Sequence, residues 1–225
     1  MKCSATIIAL LLCVFARAQD GYQIKVTLKP FKNQYIYLGH YYGRQLPIID
    51  SVKLDAQSTG VFKGPKKLGG GVYLIGYPDR SRHFEVLIDK TQTFSLAADT
   101  TNIGKITFTG SPENTAFAAY QAFMTTKGKA MDALLKEREL RKQDSAQLTG
   151  KIAMLQEEIK TYRNGVAAKD ESGLLALLLK MMKEPQVPQG TKAAGDSLFA
   201  YKYFKAHYWD GVNFYDDRLV RTPVF

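Results

Sequence analysis

Between Gly21 and about Ser111 the chain alternates apolar and polar residues with a period of two. The clearest run is Tyr22–Lys29, where every second side chain is apolar, which is typical of a β-strand with one face in the core and one in water. Similar runs follow, separated by residues that favour turns. The predicted strands are Tyr22–Lys29, Tyr35–Tyr41, Ile48–Leu54, Gly60–Lys63, Gly71–Tyr77, His83–Ile88, Thr93–Ala97 and Lys105–Thr109. Because no helical segment intervenes, they predict an antiparallel β-sandwich or barrel over residues 19–111.

The period changes at Ser111, which suits a helix N-cap, and Pro112 suits the first helical turn. Apolar residues then alternate at spacings of four and three, which predicts a helical hairpin or one interrupted helix over Lys127–Arg163, with a break near Asp144-Ser145. The residues of that seam are Leu148, Ile152, Leu155, Ile159, Tyr162 and Val166. Two further helices are predicted, at Leu174–Met182 and from Phe199 to about Asp210.

The predicted fold class is therefore α+β: an N-terminal antiparallel sandwich or barrel of about eight strands, followed by a separate all-α helical domain over residues 112–225. Thr222-Pro223 is a common way to open a helix, because proline fits the first helical turn. We therefore expect the chain to be truncated within its helical domain.

The N-terminus has the pattern of a secretory signal peptide. Lys2 is followed by the apolar run Ile7–Phe15 and by the small-x-small site Ala16–Ala18, which predicts a signal peptide over residues 1–18 and export from the cytoplasm. The apolar run is shorter than the roughly 18 to 20 residues of a spanning helix, so no transmembrane segment is predicted. Both cysteines, Cys3 and Cys13, lie inside the predicted signal peptide. The exported form is thus expected to have no thiol chemistry of its own.

The formal net charge of +10 comes from cations that are scattered along the chain. Scattered cations are typical of a solvated surface, whereas a nucleic-acid site needs a basic stripe with stacking aromatic residues. We predict no nucleic-acid partner.

The remaining chemical motifs favour structural interpretations. The glycines Gly69–Gly71 lack the lysine and hydroxyl residue of a phosphate-binding loop, so they predict a flexible loop. His40, His83 and His207 fall in three different elements without a partner at metal-ligand spacing. No catalytic residue, metal ligand or cofactor is assigned.

One region stays open between two interpretations. The carboxylates Asp210, Asp216 and Asp217 lie close in sequence to Trp209, Arg218 and Arg221. A functional interpretation is a polar cleft that binds a sugar-like ligand through stacking aromatic rings and paired acids. The structural interpretation, which we favour, has Asp210 and Asp216 capping turns and the two arginines pairing with them. The candidate binding residues are His207, Trp209, Asp210, Asp217, Arg218 and Arg221.

Several motifs resemble a known architecture. Ile49–Val52, Gly60–Gly64 and Thr109–Asn114 resemble the "I-D-S … G-x-F-x-G … G-S-x-x-N" pattern of a β-sandwich domain of unknown function, found before thioredoxin-like domains in exported Gram-negative proteins. His207–Phe214 and Asp217–Pro223, with Leu174–Leu179 and Glu184–Pro188, resemble the helical domain of unknown function that often follows it. The resemblance implies a location in the periplasm or cell envelope.

The same resemblance implies a role. The relatives continue into a thioredoxin-like domain with a Cys-x-x-Cys pair and are thiol–disulfide oxidoreductases, whereas the 225 residues of this sequence contain no such pair. We therefore expect no enzymatic activity from this chain and a non-catalytic docking module whose partner is a downstream thioredoxin-like domain or a redox protein. The alternative is a free-standing envelope protein that binds a glycan or a peptide.

Overall fold

The computed structural model describes residues 21–101, 106–188 and 198–224. The predicted signal peptide, residues 1–18, lies outside the described residues. Within them, eight strands form two sheets and four helices follow, which confirms the predicted α+β class with an N-terminal β domain and a helical part after it. The strands are β1 (Tyr22–Lys29), β2 (Tyr35–His40), β3 (Ile48–Lys53), β4 (Thr59–Gly64), β5 (Gly71–Gly76), β6 (His83–Ile88), β7 (Thr93–Asp99) and β8 (Ile106–Thr109). The helices are α1 (Pro112–Leu140), α2 (Ser145–Ala167), α3 (Leu174–Met181) and α4 (Phe199–His207).

The two sheets have the strand orders β4-β1-β7-β8 and β3-β2-β5-β6. All neighbouring strands are antiparallel except β1 and β7, which run parallel with Ile24 opposite Phe94 and Val26 opposite Leu96. The expectation of a purely antiparallel sandwich was therefore wrong for this one pair. Alternation reports which face a side chain occupies, but it carries no information on strand direction.

The core of the sandwich lies between the two sheets and is built from the apolar positions of the alternating runs. Ile24, Val26 and Leu28 of β1 are fully buried, as are Ile36 and Leu38 of β2. Their packing partners from the other strands are Phe62, Tyr73, Ile75, Val86, Ile88, Phe94 and Leu96. Because apolar burial drives folding, this set accounts for the sandwich without any covalent link.

The helical part begins where the sequence predicts. Ser111 is the N-cap of α1, its hydroxyl accepts a hydrogen bond from the Asn114 backbone N–H, and Pro112 occupies the first turn. A short 3-10 helix at Lys142–Asp144 separates α1 from α2, so the predicted break near Asp144 is confirmed. The two helices pack along the predicted seam, of which Leu148, Ile152 and Leu155 are buried in α2.

The helices also pack on the outer face of the second sheet. Val72 of β5 and Leu87 of β6 point away from the sandwich core and are 1% exposed, because a second apolar cluster covers them. The helical members of this cluster are Phe117, Tyr120, Leu174, Leu175, Leu178 and Leu179. In contrast, α4 has no buried residue among those described. Across the described ranges, none of the helices combines the length and apolarity needed to cross a bilayer.

Candidate docking surface

The six predicted binding residues fall into two groups that the structure places in different environments. His207, Trp209 and Asp210 lie at the end of α4 and just after it, in an aromatic and exposed segment. Arg218 and Arg221 lie in and beside a short 3-10 helix at Leu219–Arg221 that packs on β5, and Asp217 is exposed. Within the described part of the chain, no hydrogen bond joins the first group to the second.

Arg218 connects three segments that are far apart in sequence. Its guanidinium binds Asp216 through two hydrogen bonds, of 2.8 Å from Nε and 2.6 Å from Nη2. Nη1 donates to the Asp89 carboxylate at 2.7 Å and to the Ser172 carbonyl at 3.0 Å. Asp89 follows β6 and Ser172 precedes α3, so one guanidinium holds the C-terminal segment to both the sandwich and the helices. A planar, always charged guanidinium is suited to such forked contacts.

The electrostatics agree with this geometry. The hydrogen bonds from Arg218 lower the pKa of Asp216 below its ordinary value, and those to Asp216 and Asp89 raise the pKa of Arg218 further. Both partners are mainly buried, with 18% of the Arg218 side chain and 16% of the Asp216 side chain exposed. The structure thus contains the expected pairing of Arg218 with Asp216.

Arg221 has different partners from those expected. It binds no carboxylate among the described residues; Nη1 donates to the carbonyl oxygens of Asp217 at 3.2 Å and of Gly70 at 3.4 Å. The expected ion pair with an aspartate was therefore wrong, because the side chain lies across the glycine segment rather than beside the acids.

The glycines Gly69–Gly71 form the seat for this arginine. A Cβ on Gly69 would lie 2.5 Å from Arg221 Cζ, and a Cβ on Gly71 would lie 2.3 Å from Arg221 Cβ and 2.9 Å from its carbonyl oxygen. At Gly71, where the neighbours are Arg221 Cβ and backbone, only a residue without a side chain allows this approach. The Gly69 carbonyl accepts a hydrogen bond from the Tyr73 hydroxyl at 2.7 Å, and burial raises the pKa of Tyr73 to about 12.

The segment before β5 is a loop, as predicted, and Gln92 is hydrogen-bonded to it. The buried Gln92 amide accepts from the Leu68 backbone N–H and donates to the Leu68 carbonyl, both at 2.8 Å. It also donates to the Asp89 carbonyl. The loop, Asp89 and the C-terminal arginines therefore form one connected anchor.

The exposed group is an aromatic segment, which we define as residues 199–215. Phe199, Tyr203 and His207 stack along one side of α4, with ring centroids 6.0 and 4.1 Å apart, as expected for side chains four residues apart on a helix. Trp209 makes edge contacts with Tyr208 at 4.8 Å and Phe214 at 5.6 Å. The rings thus support one another while a large part of their area faces outward.

Asp210 does not cap α4 through its side chain. Its carboxylate lies 2.7 Å from His207 Nδ1, which fixes the orientation of the imidazole ring. The chain then turns at Gly211, whose positive φ of 78° favours glycine. The expected capping role of Asp210 is replaced by this contact with histidine.

The motif residues behind the family resemblance have structural partners. Asp50 accepts a hydrogen bond from the Tyr22 hydroxyl at 3.0 Å. A Cβ on Gly64 would lie 2.4 Å from the Tyr22 ring, and one on Gly60 would lie 3.0 Å from Val52. These residues maintain close packing in the sandwich, so they are not candidates for ligand contact.

Sequence reasoning missed the partners of the anchor. Asp89, Gln92 and Ser172 lie in ordinary turns, and nothing in their local pattern indicates a distant arginine. The sequence separation between Asp89 and Arg218 is 129 residues. One signal in the sequence could have suggested that the C-terminal segment packs near β5. It is the presence of both a glycine run, Gly69–Gly71, and a C-terminal motif with two arginines, Arg218 and Arg221.

The aromatic segment presents partly exposed rings at the protein surface. Exposed tryptophan and tyrosine residues are enriched where proteins bind one another, because they bury much area with few rotatable bonds. Within residues 21–101, 106–188 and 198–224, no group of three or more histidine, cysteine or acidic side chains could hold a metal ion.

No curated protein matches the chain. The resemblance of residues 174–223 to a helical domain, and any link to thioredoxin-like proteins, therefore remain predictions. Residues 22–117, which comprise all eight strands and the first turns of α1, match the family model of a domain of unknown function, DUF4369.

Proposed function

We propose that this chain is a non-catalytic docking module for an exported thioredoxin-like thiol–disulfide oxidoreductase. The observation that carries the proposal is the contrast between the anchor at Arg218 and the aromatic segment just before it. The anchor fixes the C-terminal segment on the sandwich, whereas Trp209 is 41% exposed and Tyr215 is 97% exposed. A partner would therefore contact exposed aromatic rings whose C-terminal flanking segment is bound to the sandwich through Arg218.

Two properties of the sequence support the redox context. From Gln19 to Phe225 the chain has no cysteine, so dithiol exchange has to take place on another polypeptide segment. The motif pairs Gly60–Gly64 and Asp217–Pro223 resemble those of proteins that carry a thioredoxin-like domain. The N-terminal pattern over residues 1–18 supports export, and with the resemblance it supports a periplasmic or envelope location.

Direct binding tests the proposal. The probes are the exported thioredoxin-like oxidoreductases of the source organism, purified singly and titrated by calorimetry against the full-length chain with Cys3→Ser and Cys13→Ser. We expect one of them to bind, and Trp209→Ala to weaken the affinity at least about tenfold, as for a hot-spot aromatic residue. The control is Met154→Ala, since Met154 is 74% exposed on α2 and far from the aromatic segment in sequence.

Two outcomes would contradict the proposal. The docking role is wrong if none of the probes binds, or if Trp209→Ala and Tyr215→Ala both leave the affinity unchanged. The non-catalytic role is wrong if the cysteine-free chain turns over a dithiol substrate by itself.

A second candidate function is the binding of an envelope glycan or peptide. The observation that favours it is the half-exposed Trp209 ring beside the hydrogen-bonded pair of His207 and Asp210, since an aromatic face next to a fixed carboxylate suits a sugar. Thermal shift with peptidoglycan fragments tests it: a stabilisation that Trp209→Ala abolishes supports glycan binding, and one that survives this change excludes the proposed location.

A further inference from the structure

A pocket on the outer face of the second sheet lies apart from the aromatic segment. It encloses about 100 Å³ beside the part of the sheet that the helices cover, and it opens to solvent. Its floor is formed by Gly39, Leu74 and Gly76, and its apolar walls by Leu46 and Ile48. Leu74 is 5% exposed although it lies on the outward face of β5, because the hairpin that joins β2 to β3 rises beside it.

The rim of this pocket is cationic. Arg80 lies with its guanidinium carbon 4.3 Å from the centre of the Tyr37 ring and donates to the Tyr37 hydroxyl at 3.1 Å. Arg82 lies 5.0 Å from the centre of the Tyr77 ring. The contact with Tyr37, which lines the pocket, holds the Arg80 guanidinium at the rim without neutralising it. Arg82 also lines the pocket, and the Tyr77 ring that it contacts belongs to the sandwich core.

Neither rim arginine forms an ion pair with a described carboxylate. The nearest acid in sequence is Asp79, whose Oδ1 accepts the Ser81 backbone N–H at 3.1 Å. Hydrogen bonds with Ser81, and to a smaller extent the attraction of Arg82, lower the pKa of Asp79 below its ordinary value. The guanidinium N–H groups of Arg80 and Arg82 are therefore available to bind an external carboxylate.

The surroundings indicate a partner larger than a small acid. Tyr42, Leu46, Ile48 and Ile49 of the β2–β3 hairpin are each more than 40% exposed, so apolar surface extends beyond the pocket mouth. Contiguous apolar surface of this kind marks sites of protein or peptide contact. The pocket volume suits one branched aliphatic side chain, and the rim suits the carboxylates beside it.

We infer that this pocket binds an acidic peptide segment that inserts one leucine-sized side chain between Leu46 and Leu74 and places its carboxylates on Arg80 and Arg82. The site is distinct from the aromatic segment, so it stands independently of the proposed redox role. The net charge of +10 on the whole chain also favours binding of an acidic ligand, through charge complementarity.

The test uses the full-length chain and fluorescence anisotropy with a labelled short peptide in which a leucine is flanked by glutamates in a glycine–serine background. Two matched peptides replace the leucine by alanine or the glutamates by glutamine. We expect the leucine–glutamate peptide to bind at least about tenfold more tightly than either, and rising salt to weaken it.

Variants locate the binding. Arg80→Gln and Arg82→Gln are each expected to weaken the affinity about tenfold, and Gly76→Val, which fills the floor, to abolish binding. Lys136→Gln on α1 removes the same charge from an exposed residue outside the pocket lining and should have no effect. Thermal melts followed by circular dichroism verify that each variant is folded. If Gly76→Val does not fold, the two arginine variants decide the outcome.

Three results would overturn the inference. The first is equal affinity for all three peptides, and the second is unchanged affinity in both arginine variants. The third is binding of 4-methylpentanoate as tight as that of the peptide, which would make a small carboxylic acid the occupant.

Discussion

The side-chain amide of Asn114 forms two hydrogen bonds with the backbone of Leu87, accepting from its N–H and donating to its carbonyl, both at 2.7 Å. Leu87 lies in β6, an edge strand of the second sheet, so one side chain from α1 takes the place that a further strand would have at this point. The same amide donates to the Ser111 hydroxyl at 2.9 Å. The start of the helical part is therefore joined to the edge of the sandwich by a fully buried polar contact.

Replacing Asn114 by alanine should destabilise the protein strongly. The change leaves the N–H and the carbonyl of Leu87 without partners in a buried place, and each such group costs about 1–3 kcal/mol. We expect the free energy of unfolding to fall by about 2–4 kcal/mol, measured by urea denaturation. Asn164→Ala on the exposed face of α2 is the control, with an expected change within about 0.5 kcal/mol. Equal effects of the two changes would show that the contact with Leu87 is unimportant.

Arg218→Lys should loosen the C-terminal segment although it keeps the charge. A single ammonium group cannot reproduce the forked contacts with Asp216, Asp89 and the Ser172 carbonyl. We expect a loss of about 1–3 kcal/mol, because the group is only partly shielded from solvent. Hydrogen exchange should rise around residues 216–222.

The control for this change is Arg141→Lys, since Arg141 pairs with Glu137 on an exposed helix surface. It should alter the free energy of unfolding by less than about 0.5 kcal/mol. If hydrogen exchange around residues 216–222 is the same in both variants, Arg218 is not an anchor.

Gly71→Ala should disturb the seat of Arg221, whereas Gly76→Ala in the same strand should not. The new Cβ at Gly71 would lie 2.3 Å from Arg221 Cβ, while a Cβ at Gly76 would lie at an ordinary 3.4 Å from Tyr37 Cβ. We expect Gly71→Ala to cost about 1–3 kcal/mol through overpacking. Thermal melts of the two variants give the comparison, and a Gly71→Ala protein as stable as Gly76→Ala would contradict the described packing.

Glu113→Gln should change how stability depends on pH. Burial raises the pKa of Glu113 above its ordinary value of 4.5, and its carboxylate accepts the Leu175 backbone N–H at 3.1 Å. Since the folded pKa is the higher one, the native state binds more protons above pH 4.5, so the contribution of this group is full below that pH and is lost as pH rises through the folded pKa.

A glutamine keeps an acceptor for Leu175 and has no charge to bury. The stability of Glu113→Gln relative to the wild type should therefore increase with pH just above 4.5 and then become constant. Urea denaturation at a series of pH values measures this difference. A difference that is independent of pH would show that Glu113 is not perturbed by its burial.

Much of the fold could be predicted because burial has a regular period in this chain. The alternation of Tyr22–Lys29 and the cap at Ser111 determine a strand and a helix start through local geometry alone. The parallel pairing of β1 with β7 could not be predicted, because it depends on which strand from a distant part of the chain forms hydrogen bonds with β1.

The candidate site was less predictable for the same reason. The pairing of Arg218 with Asp216 is local and was expected, whereas its contact with Asp89 joins residues 129 positions apart. Trp209 and His207 were identified from residue type, but their exposure depends on how little of the chain packs against α4. The rim of Arg80 and Arg82 was hidden among scattered cations, since its significance arises from the apolar floor beneath it.

The apolar cluster on the outer face of the second sheet has a consequence for recombinant work. A fragment that ends at Phe117, where the matched family model ends, keeps Val72 and Leu87 but loses the α3 leucines that cover them. Such a fragment would expose an apolar surface around Val72 and Leu87 to water and would tend to self-associate. We therefore expect a stably folded fragment to extend at least through Met181, well past the end of the matched residues 22–117.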